Sequence, residues 1–165
     1  MAGVSPGLEG RETEAILPEP EAVDTLSPPL PVSRRPDSRK RKEQDMRVAA
    51  GILVGLIALA HLWFLVLEMF LWKTPLGRKT FGTTPEVAET SAVLAANQGL
   101  YNGFLAAGLV WGLIQGLSDG RATLIFFLAC VLIAGVYGGL TANRWILFIQ
   151  ALPAAVALAL LRLAG

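Results

Sequence analysis

The sequence predicts an all-α fold: a polytopic membrane protein whose four transmembrane helices form an antiparallel bundle, preceded by a disordered N-terminal tail. Of 165 residues, 53% are hydrophobic, and the charged ones avoid four long apolar runs. Nine of the 13 acidic and eight of the 14 basic residues precede residue 48, so the formal net charge of +1 describes a tail and not a surface. A third observation bears on function. Ala95 to Gly108 sets Asn97, Gln98, Tyr101 and Asn102 inside a run otherwise apolar enough to cross a bilayer. An unpaired amide in hydrocarbon is costly, so these groups must face other helices or a wet cavity.

Residues 1–46 hold seven of the ten prolines, an acidic first half from Glu9 to Asp24 and a basic second half from Arg34 to Lys42. Such a composition cannot bury enough apolar surface to offset its ordering entropy, so it reads as disordered. Ser33-Arg34-Arg35 lacks the apolar residues that would follow in a twin-arginine export signal. The basic cluster suits a cytoplasmic tail that touches anionic lipid headgroups.

The transmembrane domain is expected over 47–165, with spans at about 48–72, 92–117, 122–140 and 145–163. Each is long enough, or nearly so, for a hydrocarbon core of about 30 Å. In the first span, His61 and Glu68 lie seven apart, on one face and about 10 Å apart along the axis. Each needs a partner on another helix, or a water or ligand between them. Gly51 and Gly55 allow a neighbouring helix to approach. The loop that follows is punctuated by Pro75, Gly77, Gly82 and Pro85; Thr84 followed by Pro85 and Glu86 reads as a helix start, and Thr83 with Glu86 fits a capping box. Gly77-Arg78-Lys79-Thr80 resembles the end of a P-loop but lacks the upstream glycine and the preceding strand. Arg78 remains a candidate to attract an anionic group.

In the second span Asn97 and Tyr101 fall on one line, Gln98 and Asn102 on another about 100° round, and Gly99 with Gly103 on a third. Most of its girth is polar or glycine, which makes it the most enclosed helix and leaves glycine faces that could also join subunits into a homo-oligomer. Tyr137 and Gln150 are the polar groups of the last two spans, Pro153 is placed to kink the fourth, and Cys130 is a small packing residue. Counted inward from the long-loop side, Glu68, Asn97, Tyr137 and Gln150 share one depth, with Tyr101, Asn102 and His61 one to two turns deeper. The expectation is a single pocket open toward the long loop. The basic tail places both termini in the cytoplasm and the chain in the cell membrane as a multi-pass protein.

Glu68-Met69-Phe70-Leu71-Trp72, Thr74-Pro75, Gly77-Arg78, Phe81-Gly82 and the block Ala96 to Ala106 resemble a family of small four-helix bacterial integral membrane proteins known as a domain of unknown function, number thirteen-oh-four. The resemblance covers about Arg47 to Arg162. It implies a four-helix membrane fold and no established activity, some members carrying an epimerase label without a mechanism.

Three readings of the polar cluster follow. It binds or moves a small polar or amphipathic molecule. Alternatively, His61 and Glu68 serve as acid and base of a membrane-embedded isomerase or epimerase, with Asn97, Gln98, Tyr101, Asn102, Tyr137, Gln150 and Arg78 orienting its substrate. Or it is a structural network in an oligomeric bundle. One histidine without a second nitrogen or sulfur ligand makes a poor metal site. No cofactor and no nucleic-acid partner is expected; membrane lipid is.

Overall fold

The computed structural model describes Gly3 and residues 38–163. The expected disorder of residues 1–37 therefore lies outside the described residues, Gly3 apart. Ser38 to Met46, read from the sequence as tail, is instead helical: α1 runs Ser38–Met69, three residues short of the expected end at Trp72. It contains no proline or glycine before Gly51, and the Glu43 carboxylate pairs with Arg47 one turn on at 3.0 Å. Thirty-two residues make a rod of about 48 Å. That is longer than a hydrocarbon core is thick, and the basic start of α1 extends its apolar part as a stalk.

The loop after α1 folds into two short helices, α2 (Pro75–Phe81) and α3 (Pro85–Thr90). Both start in the same way: a threonine, Thr74 or Thr84, precedes a proline and accepts from the backbone N–H three residues on, at 3.3 Å in each case. The cap of α3 is thus Thr84 bonded to the N–H of Val87, one residue later than the Thr83 capping box. Proline is best tolerated at the first helical position, which sets the cap at the residue before it. Glu86 has its carboxyl held below the ordinary value of 4.5, first by its own backbone N–H and then by the Thr84 hydroxyl. Gly82 ends α2 in the left-handed conformation, φ 66°, which a side chain would disfavour.

The long helices α4 (Ala92–Gln115) and α5 (Arg121–Thr141) follow, then a π-helical turn (Leu147–Ala151) leading into α6 (Leu152–Leu163). The π turn lies immediately before Pro153, whose missing N–H interrupts the ordinary ladder; this is the local cause of the irregularity expected there. The four long segments form a ring in which α1 packs on α4 and α6, and α5 on α4, the π turn and α6. The contacts run antiparallel. Gly99 sits against Glu68 and Met69 while Gly103 sits against Leu65; Gly108 and Gly112 sit against Phe127 and Leu124; Gly135 and Gly139 sit against Ala151 and Leu147. A Cβ at any of these six would collide with the facing residue. The glycine faces of α4 are therefore used within one chain. Nothing approaches the position of a Cβ at Gly55, and Gly51 has only Leu117 at 3.7 Å, so the close approach expected there is not made.

The core fills the end of the ring away from the loop: Val54, Ile57, Leu109, Leu124, Leu128, Val131, Ala154, Ala157 and Leu161 are buried together. Two helices, Ser38–Met69 and Arg121–Thr141, are long and apolar enough to cross a membrane. The amides of α4 dilute its hydropathy, and the last apolar stretch, Leu147–Leu163, is shorter. Among the described residues there is no strand.

Candidate functional site: a polar cleft at the loop end

The antiparallel register brings the C-terminal end of α1, the N-terminal half of α4, the C-terminal end of α5 and the π turn to one level. Between them lies a cleft of about 510 Å³. Glu68, Gln98, Tyr101, Asn102, Tyr137 and Gln150 line it, with Leu105, Ala134, Gly138, Thr141, Ala142 and Ile146 as the rest of its wall. Six of the nine residues singled out from sequence thus come together. Three do not.

Asn97 points out of the ring: its amide donates to the Val93 carbonyl of its own helix at 3.2 Å, and the residue is exposed. The equal depth of Glu68 and Asn97 does not make them partners. The Glu68 carboxyl accepts instead from the Asn102 amide at 2.7 Å. Helical phase decides between them, because Gly99 is pressed against Glu68, and this turns Gln98 and Asn102, not Asn97 and Tyr101, toward α1.

His61 is 2% exposed and is not part of the cleft wall. Its Nδ1 lies 2.8 Å from the Ile57 carbonyl one turn back, its ring meets Phe64 edge to face, and its Nε2 is buried without a partner. His61 shares a face with Glu68 as its spacing requires, yet belongs to the stripe of Val54, Ile57 and Ala58 that faces the core. Arg78 is likewise outside the cleft. Its guanidinium donates to the Lys73 carbonyl at 2.6 Å and clamps the loop.

A smaller cavity of about 140 Å³ adjoins the cleft, lined by Glu68, Trp72, Ser91, Leu94, Ala95 and Gln98. Trp72 donates from Nε1 to the Ser91 hydroxyl at 3.1 Å and stacks at a tilt on Phe81. Ser91 was not readable as a site residue, since its place at the α3–α4 junction depends on how the loop folds. Within the cleft, Gln150 donates to the Val131 carbonyl at 3.2 Å. Gln98, Tyr101 and Tyr137 make no side-chain hydrogen bond among the described residues. Among the described residues no three His, Cys, Asp or Glu side chains gather as metal ligands.

Residues 55–162 match a family described as protein of unknown function (DUF1304). The chain belongs to this family. The DUF1304 segment contains the whole ring from Gly55 onward, both cavities and all nine residues discussed above, and excludes the basic stalk. The chain is also similar to an uncharacterised protein, YpaA, of Lactococcus lactis subsp. lactis (strain IL1403), with 30% identity over 107 residues, 64% of this chain and 89% of that protein. No solved structure matches.

Proposed function

We propose that this DUF1304 protein is a four-span, multi-pass membrane protein of the cell membrane whose loop-side cleft binds the polar part of a small amphipathic molecule. The observation that carries the reading is the composition of the cleft. It combines one carboxyl, three amides and two phenols, of which Gln98, Tyr101 and Tyr137 have hydrogen-bonding capacity unused among the described residues. A purely structural network would consume that capacity. Tyr101 and Tyr137 are 63% and 70% exposed, so the cleft is accessible between α4 and α5 from the side of the ring that faces lipid. Leu105, Ala134 and Ile146 offer apolar wall beside these groups. With His61 in the core, no base stands opposite Glu68, so binding or passage of the molecule accounts for the site better than acid–base isomerisation.

Four spans and two cytoplasmic ends are part of the same proposal. What supports it is that α4 and the π turn with α6 pack antiparallel beside the two helices apolar enough to cross a membrane, and that the start of α1 is basic, as suits contact with anionic headgroups. The residues proposed to contact the molecule are Glu68, Gln98, Tyr101, Asn102, Tyr137 and Gln150.

Native mass spectrometry of the protein extracted from its membrane tests this. The protein should retain an amphipathic molecule, and Ala134→Trp, which fills the cleft from α5, should lose it with no change in melting temperature. Equal retention by the folded variant would overturn the assignment.

A further inference from the structure

We infer that the smaller cavity beside Trp72 is a compartment for an ammonium group, so that the amphipathic molecule bound in the cleft carries a positively charged amine or quaternary nitrogen. The inference rests on the cleft reading above and adds the charge of the ligand. Four of the six lining residues are polar or aromatic: Glu68, Trp72, Ser91 and Gln98. Their donors are largely spent. The indole N–H goes to the Ser91 hydroxyl at 3.1 Å, and that hydroxyl goes in turn to the Val87 carbonyl at 2.5 Å. One Glu68 oxygen accepts from Asn102, which leaves the other, the Gln98 amide and the indole π-system to meet a ligand. An anionic group would find a single donor, the Gln98 amide. An ammonium group would find a carboxylate and an aromatic ring, the pair of features by which proteins hold such cations.

The surroundings point the same way. No basic residue lines either cavity. The cations nearest in sequence are engaged outside, Lys73 with Glu89 at 3.2 Å and Arg78 with the Lys73 carbonyl at 2.6 Å. The N-terminus of α4, which begins at Ala92 after the break at Ser91, lies beside the chamber, and its dipole opposes a cation. The charge of Glu68 and the face of Trp72 have to outweigh that opposition, which an end-of-helix dipole screened by solvent sets at a fraction of a full charge. Leu94 and Ala95 supply apolar walls, which strengthen a cation–aromatic contact by excluding water. A volume of about 140 Å³ admits a head of a few heavy atoms and no sugar. Glu68 and Gln98 line both cavities, and Leu94, Gln98, Tyr101 and Leu105 succeed one another on one stripe of α4. A molecule with its nitrogen in the chamber would lay its remaining polar groups along the cleft.

The test uses the full chain in an uncharged maltoside detergent with Trp63, Trp111 and Trp145 changed to Phe. Each of these is at least 50% exposed, and their removal leaves Trp72 as the sole indole. Trp72 emission is titrated with choline and with its neutral carbon isostere 3,3-dimethylbutan-1-ol. Choline should act at concentrations at least about tenfold lower, and Glu68→Gln should abolish that preference. Should Glu68→Gln fail to fold, Leu94→Lys at a 66% exposed position puts a competing ammonium at the same chamber and should abolish the preference equally. Equal potency of the two probes, or a preference that survives these variants, would overturn the ammonium assignment. Retention of an amphiphile that is lost in Ala134→Trp is read separately, so a failed chamber is distinguishable from a failed cleft.

Discussion

Away from the loop, α4 meets α5 at Gly108 and Gly112, and Phe127 and Leu124 fill the space those glycines leave. At the loop end the same two helices present Gln98 to Leu105 and Ala134 to Thr141 to each other across a cleft. The first half is apolar, interlocked and closed; the second carries the polar side chains, two tyrosines among them, and is open. In lipid, helices are not driven together by water, so they associate where small residues permit dense contact and part where bulky polar side chains prevent it. Close packing is therefore concentrated at one end of the ring and open polar surface at the other.

Leu128→Ala should produce the largest difference between the two halves. Leu128 is fully buried in the apolar cluster, so the truncation leaves a cavity and should cost about 2–5 kcal/mol. Tyr137→Ala in the cleft should cost about 0.5 kcal/mol or less, because the residue is 70% exposed and its hydroxyl has no partner among the described residues. Reversible unfolding of both variants in one detergent measures the contrast. Comparable losses would mean that the cleft is itself a load-carrying part of the fold.

The second experiment probes the one side-chain bond that ties α1 to α4 at the open end. A double-mutant cycle on Glu68→Ala and Asn102→Ala should show coupling of about 0.6 kcal/mol, and at most about 1.7. The same cycle on Glu68→Ala and Asn97→Ala should be additive, since Asn97 bonds only to its own helix. Coupling through Asn97 and none through Asn102 would require α4 to be rotated by about 140°, well over a right angle.

That pair also shows what the sequence could reveal. Depth along a helix is fixed by counting residues, and counting put Glu68, Asn97, Tyr137 and Gln150 at one level with Tyr101 and Asn102 one to two turns deeper, of which all but Asn97 line the cleft. Rotation about the axis is set by the tightest contact between helices. Gly99 against Glu68 and Met69 sets it here, a fact of packing that spacing alone does not contain. His61 illustrates the same limit. Seven residues from Glu68, it shares that face but not that surrounding, because α1 leaves the cleft and enters the core between the two. The start of α1 at Ser38 was obscured for another reason: charge and proline upstream made 1–46 look uniform, although the last proline is Pro36.

The smallest effect belongs to the cap of α3, outside the ring, and it tests whether the loop helices titrate independently of the bundle they cover. The Glu86 carboxyl is held below its ordinary value of 4.5, chiefly by its own backbone N–H and then by the Thr84 hydroxyl. A carboxyl whose folded value is depressed adds stability that is present above its unfolded value and lost as pH falls through its folded one. Between about pH 5 and pH 3, then, hydrogen-exchange protection of the Val87 and Ala88 amides should fall slightly. Protection at Leu124 to Leu128 should not change over that range, because no carboxyl lines that cluster. Glu86→Gln should remove the pH dependence at the cap. The group is fully exposed, so the change should be a modest loss of protection at the cap without unfolding. A matching fall at Leu128 would show that the loop helices and the closed half of the ring unfold together, and the separation drawn between the two ends would not hold.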